Sequence, residues 1–417
     1  MAQLSDDCFA FGGALLSVED ALAQIEVRVG AVVETETAPL RCASGRILAR
    51  DIVAAMDLPP NANSAVDGYA FAHADLSAGQ ETVLPVSGRA AAGHPLARPV
   101  RPGTAVRIFT GAPMPDGADT VMMQEDCITE AEKVRLRPGI RKGANRRHAG
   151  EDIAEGAVAL AAGRRLSPAD LGLAAALGQC ELPVFRRLRV ALLSTGDEVQ
   201  EPGMGLAPGM IYDANRFMVA ALLEKLDCVV TDFGICPDRE VDLADALATA
   251  GVDHDMIVTS GGVSTGEEDH VKAAVERLGR LHFWRLAIKP GRPVALGQIG
   301  GVPLIGLPGN PVAALVTFVV LARPLILKLG GAAASPPRLF PVRAGFAYRK
   351  KPGRREYVRA TLQRDGNDLV AAKFPRDGAA ILSSITQSEG LAVVAEPASE
   401  VTPGMIIDFL PFSEVIG

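Results

Sequence analysis

The sequence lacks most of the marks of familiar chemistry. Aromatic residues make up 5% of the chain, with Trp284 the single tryptophan, so there is no aromatic platform on which a single-strand binder could stack bases. The net charge of −7 argues against a general nucleic-acid partner, whose contact face would be basic. The cysteines are Cys8, Cys42, Cys127, Cys180, Cys228 and Cys236; none forms a C-x-x-C pair or stands at zinc spacing from a histidine. Buried free thiols in a reducing compartment are the reading. The histidines fall in unrelated contexts, and no Ser/His/Asp triad suggests itself. No G-x-G-x-x-G follows a strand pattern, which speaks against a nicotinamide cofactor. The opening MAQLSDDCFAFGG carries acids and no basic n-region, so no signal peptide is expected and the expected location is cytoplasmic.

What is present is an ordinary globular composition, 48% hydrophobic and 22% charged over 417 residues. At roughly 100–200 residues per domain the chain should hold about two to four domains. Residues 312–329 (VAALVTFVVLARPLILKL) are long enough to span a bilayer. Arg323 and Pro324 interrupt the run, and a Gly-Asn-Pro turn precedes it, so a buried core helix is expected instead.

Residues 15–29 have helical spacing with Ser17 as N-cap, and 38–52 read as a helix followed by a strand. Over 58–150 short apolar runs alternate with Gly and Pro, the pattern of a small β-domain. Residues 164–180 return to helix, entered through Ser167-Pro168. From 188 to 311 strand, loop and helix alternate, which implies a mostly parallel sheet with helices on its faces. After Gly330-Gly331 the run AAASPP reads as a linker, and 339–417 as a separate all-β domain of short strands without a clear helix.

Several motifs carry possible chemistry. TSGGVSTGEEDH (259–270) follows an apolar strand and precedes a helix. Gly261, Gly262 and Gly266 allow close backbone approach, the helix start favours an anion, and Ser260, Ser264 and Thr265 add hydroxyls. Glu267, Glu268 and Asp269 are either a solvated first turn that complements the helix dipole or acids for a divalent cation beside a phosphate. LSTGDE (193–198) ends another strand, so both loops would share the carboxyl edge of one sheet, where open α/β sheets bind ligands. KPGRP (289–293) reads as a hairpin turn, with Lys289, Arg292 and nearby Arg285 as cations. In LPGNP (307–311) capping explains Asn310 and Pro311, while Pro308-Gly309 fix a rigid loop. In PPNANSAVDGYAF (59–71) the polar group around Asp67 reads as turn chemistry. RRHAGEDI (146–153) reads as a charged linker, and the basic run 349–360 as a solvated face.

Taken in order, NSAVDGYA, IFTGAPMPDGADTVMMQED, GEDI, LSTGDE, IYDANR, TSGGVSTGEEDH, FWRLAIKPGRP and GLPGNP resemble the molybdopterin molybdenumtransferases, the MoeA-type family that includes the E domain of gephyrin. Each motif is weak alone; eight in one order are specific, and the resemblance covers nearly the whole chain. It implies a multidomain α/β and β architecture. A molybdopterin-binding α/β domain with a mostly parallel sheet would comprise 1–28 and 184–331. A linker domain would combine 29–51 with 151–183. An inserted β-domain would span 52–150, and a C-terminal β-barrel 332–417.

The resemblance also implies an activity: insertion of molybdate into adenylylated molybdopterin with release of AMP, assisted by Mg²⁺. It implies a homodimer whose cleft joins the α/β domain of one subunit to the NSAVDGYA domain of the other. Other proteins of molybdenum cofactor biosynthesis are further possible partners; neither nucleic acid nor a membrane is expected. Asp67, Glu198 and Asp269 would be the catalytic acids, with Glu198 and Asp269 as metal ligands. Thr110 would join Asp67, and Asp238, Ser260, Gly261, Gly262 and Ser264 would line the α/β cleft. Arg285, Lys289 and Arg292 would attract the oxyanion, and Pro308 and Pro311 would shape the floor. Arg359 with Ser383 or Ser384 would reach the oxyanion from the tail.

The chain departs from the family in carrying Arg at 285 and 292, where Lys is frequent, and Ala313 in place of a frequent serine. Arg keeps the charge but is planar and forked. Two other functions compete. One is a molybdopterin adenylyltransferase or nucleotide pyrophosphatase on the same α/β domain, which would need neither NSAVDGYA nor the tail barrel. The other is a non-catalytic gephyrin-like scaffold, against which the acids at Asp67, Glu198 and Asp269 count.

Overall fold

The computed structural model describes residues 15–261, 270–291 and 293–416. Two compact units emerge. One holds the chain up to Arg50, Ala162–Ser167 and everything from Glu181 on; the other holds Asp51–Ala161 and Pro168–Cys180.

The first unit is built on a six-stranded sheet in the order Val229–Cys236, Arg189–Thr195, Met256–Ser260, Val302–Leu307, Pro293–Ile299, Gly279–Arg285. The first four strands run parallel, and the last two continue the sheet antiparallel. Arg189–Thr195 is buried at every position after the first, as expected of a strand covered on both faces. Its successive side chains feed two different cores. Val190 and Leu192 join one with Val258, Ile305 and Phe318. Ala191 and Leu193 join the other with Leu243, Leu247 and Val275. This is the period-2 alternation of a strand, and each fully buried aliphatic side chain contributes about 1.5–3 kcal/mol.

Helices Asn215–Lys225, Glu240–Asp253 and His270–Leu278 connect the strands. The apolar run Pro311–Leu329 passes the length and composition test for a membrane span, yet 78% of its most apolar window is buried inside the unit. It is the central core helix. Pro324 cannot donate to the carbonyl of residue 320, and a π-helical turn, Phe318–Ala322, lies just before it. Val18–Arg28 is helical as expected, with the Ser17 hydroxyl accepting the Asp20 N–H at 3.0 Å.

The helix expected within 38–52 does not form. Thr35–Pro39 is a strand paired antiparallel with Glu181–Phe185, followed by a single 3₁₀ turn, Leu40–Cys42. Gly45 takes φ +79°, a left-handed position that interrupts helical propagation. Arg46, buried, donates to the Phe185 carbonyl at 2.7 Å and pairs with Glu36. Pairing with a distant strand has overridden local propensity.

In the tail, Arg355–Asp365 pairs with both Asp368–Lys373 and Gly390–Val394; Phe340–Ala344 and Ile406–Pro411 complete the ring. Closure leaves the barrel strands without free edges. Its interior pairs small with large: a Cβ on Gly390 would meet the Phe409 ring at 2.6 Å. As expected for this segment, the only helices described in it are single turns, Ser383–Thr386 and Phe412–Val415. Ile288–Lys289 adds in parallel to Arg355–Glu356, so a loop of the α/β sheet is hydrogen-bonded to the barrel.

The second unit carries its own six-stranded sheet, centred on Gly68–Phe71, Ala105–Ile108 and Thr82–Ala90. Phe71, Leu84 and Leu136 lie in one core and Val106, Ile108 and Val121 in another.

Candidate active site

Strand Arg189–Thr195 lies between Val229–Cys236 and Met256–Ser260 in the sheet. The chain therefore leaves its carboxyl end in one direction and returns on the other side, and the loops diverge to open a crevice. A cavity of about 370 Å³ fills that crevice. Ser194, Thr195 and Glu198 line one side, Ser260 and Gly261 the middle, and Gly309, Asn310 and Pro311 the far wall.

Local chemistry fixes each wall. Gly261 has φ +89°, and a Cβ there would lie 2.5 Å from the Thr195 carbonyl, so only glycine lets the two loops approach. Thr195 Oγ1 donates to Asp238 Oδ1 at 3.3 Å, and the Asp238 N–H to Asp197 Oδ1 at 3.3 Å. Asn215 Nδ2 donates to the Gly309 carbonyl at 2.7 Å and so ties the LPGNP loop to the neighbouring helix. Asn310 occupies the N-cap position but makes no capping hydrogen bond with its side chain. Side-chain capping therefore does not account for it; the residue lines the cavity. The buried Ser194 hydroxyl has no partner among the described residues.

Behind the cavity, Arg216 gathers three acids. Its Nε donates to Asp213 at 3.0 Å and its Nη1 to Asp232 at 2.5 Å, while Nη2 pairs with Glu201. Burial opposes the guanidinium charge, but these partners hold its pKa above the usual value, while Asp232 lies below the usual carboxylate range. The cluster fixes the IYDANR turn, which puts Tyr212 and Asp213 on the cavity wall.

The tail contributes a second wall through Ala380 and Leu382. Arg359 is 7% exposed and is committed inward. It donates to Ser384 Oγ at 3.0 Å and to the carbonyls of Gly378 and Arg376. Burial lowers its pKa from the arginine value even with Asp377 nearby. It organises loop 376–384, whose Ala379 carbonyl accepts the Val312 N–H at 2.9 Å. Ser383 begins the one-turn helix beside it.

Of the other expected residues, Arg285 ends its strand and is exposed, and Lys289 follows on the strand that joins the barrel. KPGRP does connect an antiparallel pair, Gly279–Arg285 with Pro293–Ile299, with the Ile288–Lys289 excursion between them. Pro308 stands just before the residues that line the far wall. Gly262, Ser264, Asp269 and Arg292 lie outside the described residues.

In the second unit, Asp67 and Thr110 meet. The Thr110 N–H and Oγ1 both donate to Asp67 Oδ1, at 2.7 and 2.8 Å. These bonds, outweighing desolvation and aided by Arg107, hold the Asp67 carboxyl below its usual value. Arg107 lies 5.1 Å from the Tyr69 ring centre and 4.8 Å from that of Phe109, and Arg89 is 4.6 Å from Phe109. An ionised carboxylate thus sits in a partly cationic, aromatic setting.

Sequence reading missed Ser194, Asn215, Asn310 and the Arg216 cluster. LSTGDE and IYDANR contain three of these four positions, but nothing local marks Asn215 as a partner of Gly309, 94 residues away.

Fold and crevice together define an α/β enzyme-type domain with a cleft at its topological switch point, in a chain that also holds a β-domain and a barrel. Comparison with known proteins is specific. Residues 16–178 match the MoeA N-terminal region (domain I and II), 191–328 the probable molybdopterin binding domain, and 341–412 the MoeA C-terminal region (domain IV). A molybdopterin molybdenumtransferase of Haemophilus influenzae is 38% identical over 407 residues, covering 97% of this chain and 100% of that one. Molybdopterin molybdenumtransferase 2 of Mycobacterium tuberculosis is 37% identical, covering 88% and 93%. The crystal structure of the molybdopterin biosynthesis moeA protein of Pyrococcus horikoshii superposes with a TM-score of 0.80 at 28% identity, covering 95% and 100%. The chain belongs to the molybdopterin molybdenumtransferase family.

Proposed function

We propose that this protein acts in molybdenum cofactor biosynthesis, inserting molybdate into adenylylated molybdopterin and releasing AMP in the presence of Mg²⁺. The observation that carries the reading is the cavity of about 370 Å³ at the carboxyl ends of the parallel strands. It offers backbone and hydroxyl groups on two sides and Glu198 on its rim.

The reaction brings a dianion toward a phosphorylated pterin, so like charges must be offset. Lys289 and Arg285, with Arg292, are the cations proposed for the oxyanion. Ser260, Gly261 and the wall from Pro308 to Pro311 would seat the pterin nucleotide, with Asp238 steadying Thr195. No protein nucleophile is needed when positioning and electrostatics supply the acceleration.

The donor set fits a metal that arrives with substrate. The Glu198 carboxylate makes no hydrogen bond among the described residues, and no group of three ligating side chains is found among them. Mg²⁺ is bound through one or two carboxylates plus substrate phosphates rather than an all-protein cage. Glu198, with Asp269, would hold it, and when bound it would neutralise charge developing on the phosphoanhydride. We further propose a cytoplasmic homodimer in which Asp67 and Thr110 complete the cleft from the second subunit.

The test supplies adenylylated molybdopterin, molybdate and Mg²⁺ and follows AMP release together with cofactor formation. Molybdate-dependent turnover supports the reading; AMP release that ignores molybdate, or none, sinks it.

A further inference from the structure

Lys289 is held by an arrangement that simple strand pairing does not require. The Glu356 side chain is only 3% exposed, while that of Lys289 is 51% exposed. Glu356 Oε2 accepts from both Tyr348 Oη, at 2.5 Å, and Lys289 Nζ, at 3.1 Å. Lys289 Nζ also reaches Tyr348 Oη at 3.3 Å and lies 5.8 Å from the centre of that ring. The backbone is fixed too: Ile288–Lys289 pairs with Arg355–Glu356, and the Arg355 N–H donates to the Ala287 carbonyl at 2.7 Å.

An ammonium group has three donors. Among the described residues Glu356 and Tyr348 take two, which leaves a single N–H on this half-exposed side chain. The next residues are Pro290 and Gly291, and Gly291 packs tightly on the core helix. A Cβ there would meet Thr317 Oγ1 at 2.4 Å and the Ala313 carbonyl at 3.1 Å. That same helix begins at Pro311 on the cavity wall. Two other lysines of the barrel are committed elsewhere: Lys373 Nζ, 6.0 Å from the centre of the Tyr348 ring, pairs with Asp377, and Lys350 Nζ donates to the carbonyls of Glu396 and Ala398. The Glu356–Tyr348 pair holds the otherwise flexible Lys289 stem in one place.

We propose that Glu356, bridged by Tyr348, is a positioning residue of the barrel that aims the free N–H of Lys289 at a bound tetrahedral oxyanion. The inference rests on the reading of Lys289 as an oxyanion-binding cation. It adds a positioning role, acting through the α/β domain, to the wall that the tail already contributes through Ala380 and Leu382.

Steady-state kinetics with varied molybdate separates the two ideas. Lys289→Ala is expected to raise the KM for molybdate. Glu356→Gln is expected to raise it about tenfold, roughly the worth of one charge-assisted hydrogen bond, with kcat nearly unchanged and the KM for adenylylated molybdopterin unmoved. In a Lys289→Ala background, Glu356→Gln should add nothing. Tyr348→Phe, which keeps the buried ion pair, should show a smaller rise of the same kind and carries the test if Glu356→Gln does not fold. A wild-type KM in Lys289→Ala overturns the reading of Lys289 and the inference with it. A raised KM in Lys289→Ala, combined with no effect of Glu356→Gln or an equal effect in both backgrounds, overturns the inference alone.

Discussion

Arg216→Ala would strip the turn beside the cavity of its counter-charge, and the consequence can be worked out partner by partner. Asp232 and Glu201 have side chains 46% and 48% exposed. They would return to water, so each pair accounts for only about 0–1 kcal/mol. Asp213 differs: its side chain is 3% exposed and that of Arg216 is 5%. Without the guanidinium, the Asp213 carboxylate keeps, among the described residues, only the N–H of residue 216, at 3.1 Å. Breaking a buried pair from one side costs about 3–5 kcal/mol, because a charge is left uncompensated. Chemical denaturation should show a loss of that size, and hydrogen exchange should show Asn215–Lys225 opening more readily than Glu240–Asp253. Adding Asp213→Asn removes the stranded charge and should restore half or more of the loss. A single variant within about 0.5 kcal/mol of wild type, or a double variant no more stable than the single, would show that Arg216 does not compensate a buried Asp213 charge.

Further outcomes follow from other contacts. Gly261→Ala forces a side chain onto φ +89° and to 2.5 Å from the Thr195 carbonyl; it should cost about 1–3 kcal/mol and weaken pterin-nucleotide binding measured by calorimetry. Glu198→Gln should raise the Mg²⁺ concentration needed for half-maximal turnover while leaving the melting temperature unchanged. Asp255 provides a pH signature. Burial pushes its carboxyl up, but hydrogen bonds from Arg186 and Arg189 outweigh that and hold it below the usual range. A lowered folded value means that the stabilisation is present above the unfolded carboxyl range and is lost as pH falls through the folded value. Asp255→Asn should therefore flatten the acid limb of thermal stability, read by melting curves from about pH 7 to about pH 3.

The α/β portion was legible because its parallel strands are continuous apolar runs between turn signals, as in Arg189–Thr195 and Met256–Ser260. Their shared carboxyl edge followed from that alternation alone. Motif order supplied the rest, since eight short motifs in sequence carry far more information than any one. What stayed hidden depends on contacts between distant residues. The Lys289–Glu356 pair spans 67 residues, and Arg46 reaches Phe185 across 139. The stretch 38–52 looked helical because its strand partner, Glu181–Phe185, lies in another part of the chain. Asn310 looked like a cap because its flanking residues satisfy the capping pattern, although its side chain does not close the bond.

The decisive measurement for this cavity is a crystal structure grown with adenylylated molybdopterin and Mg²⁺. The phosphoanhydride should lie in the crevice between Thr195 and Gly261, with the metal against Glu198 and the pterin end toward Lys289. Ligand bound elsewhere, with the crevice empty, would rule out this cavity as the substrate site.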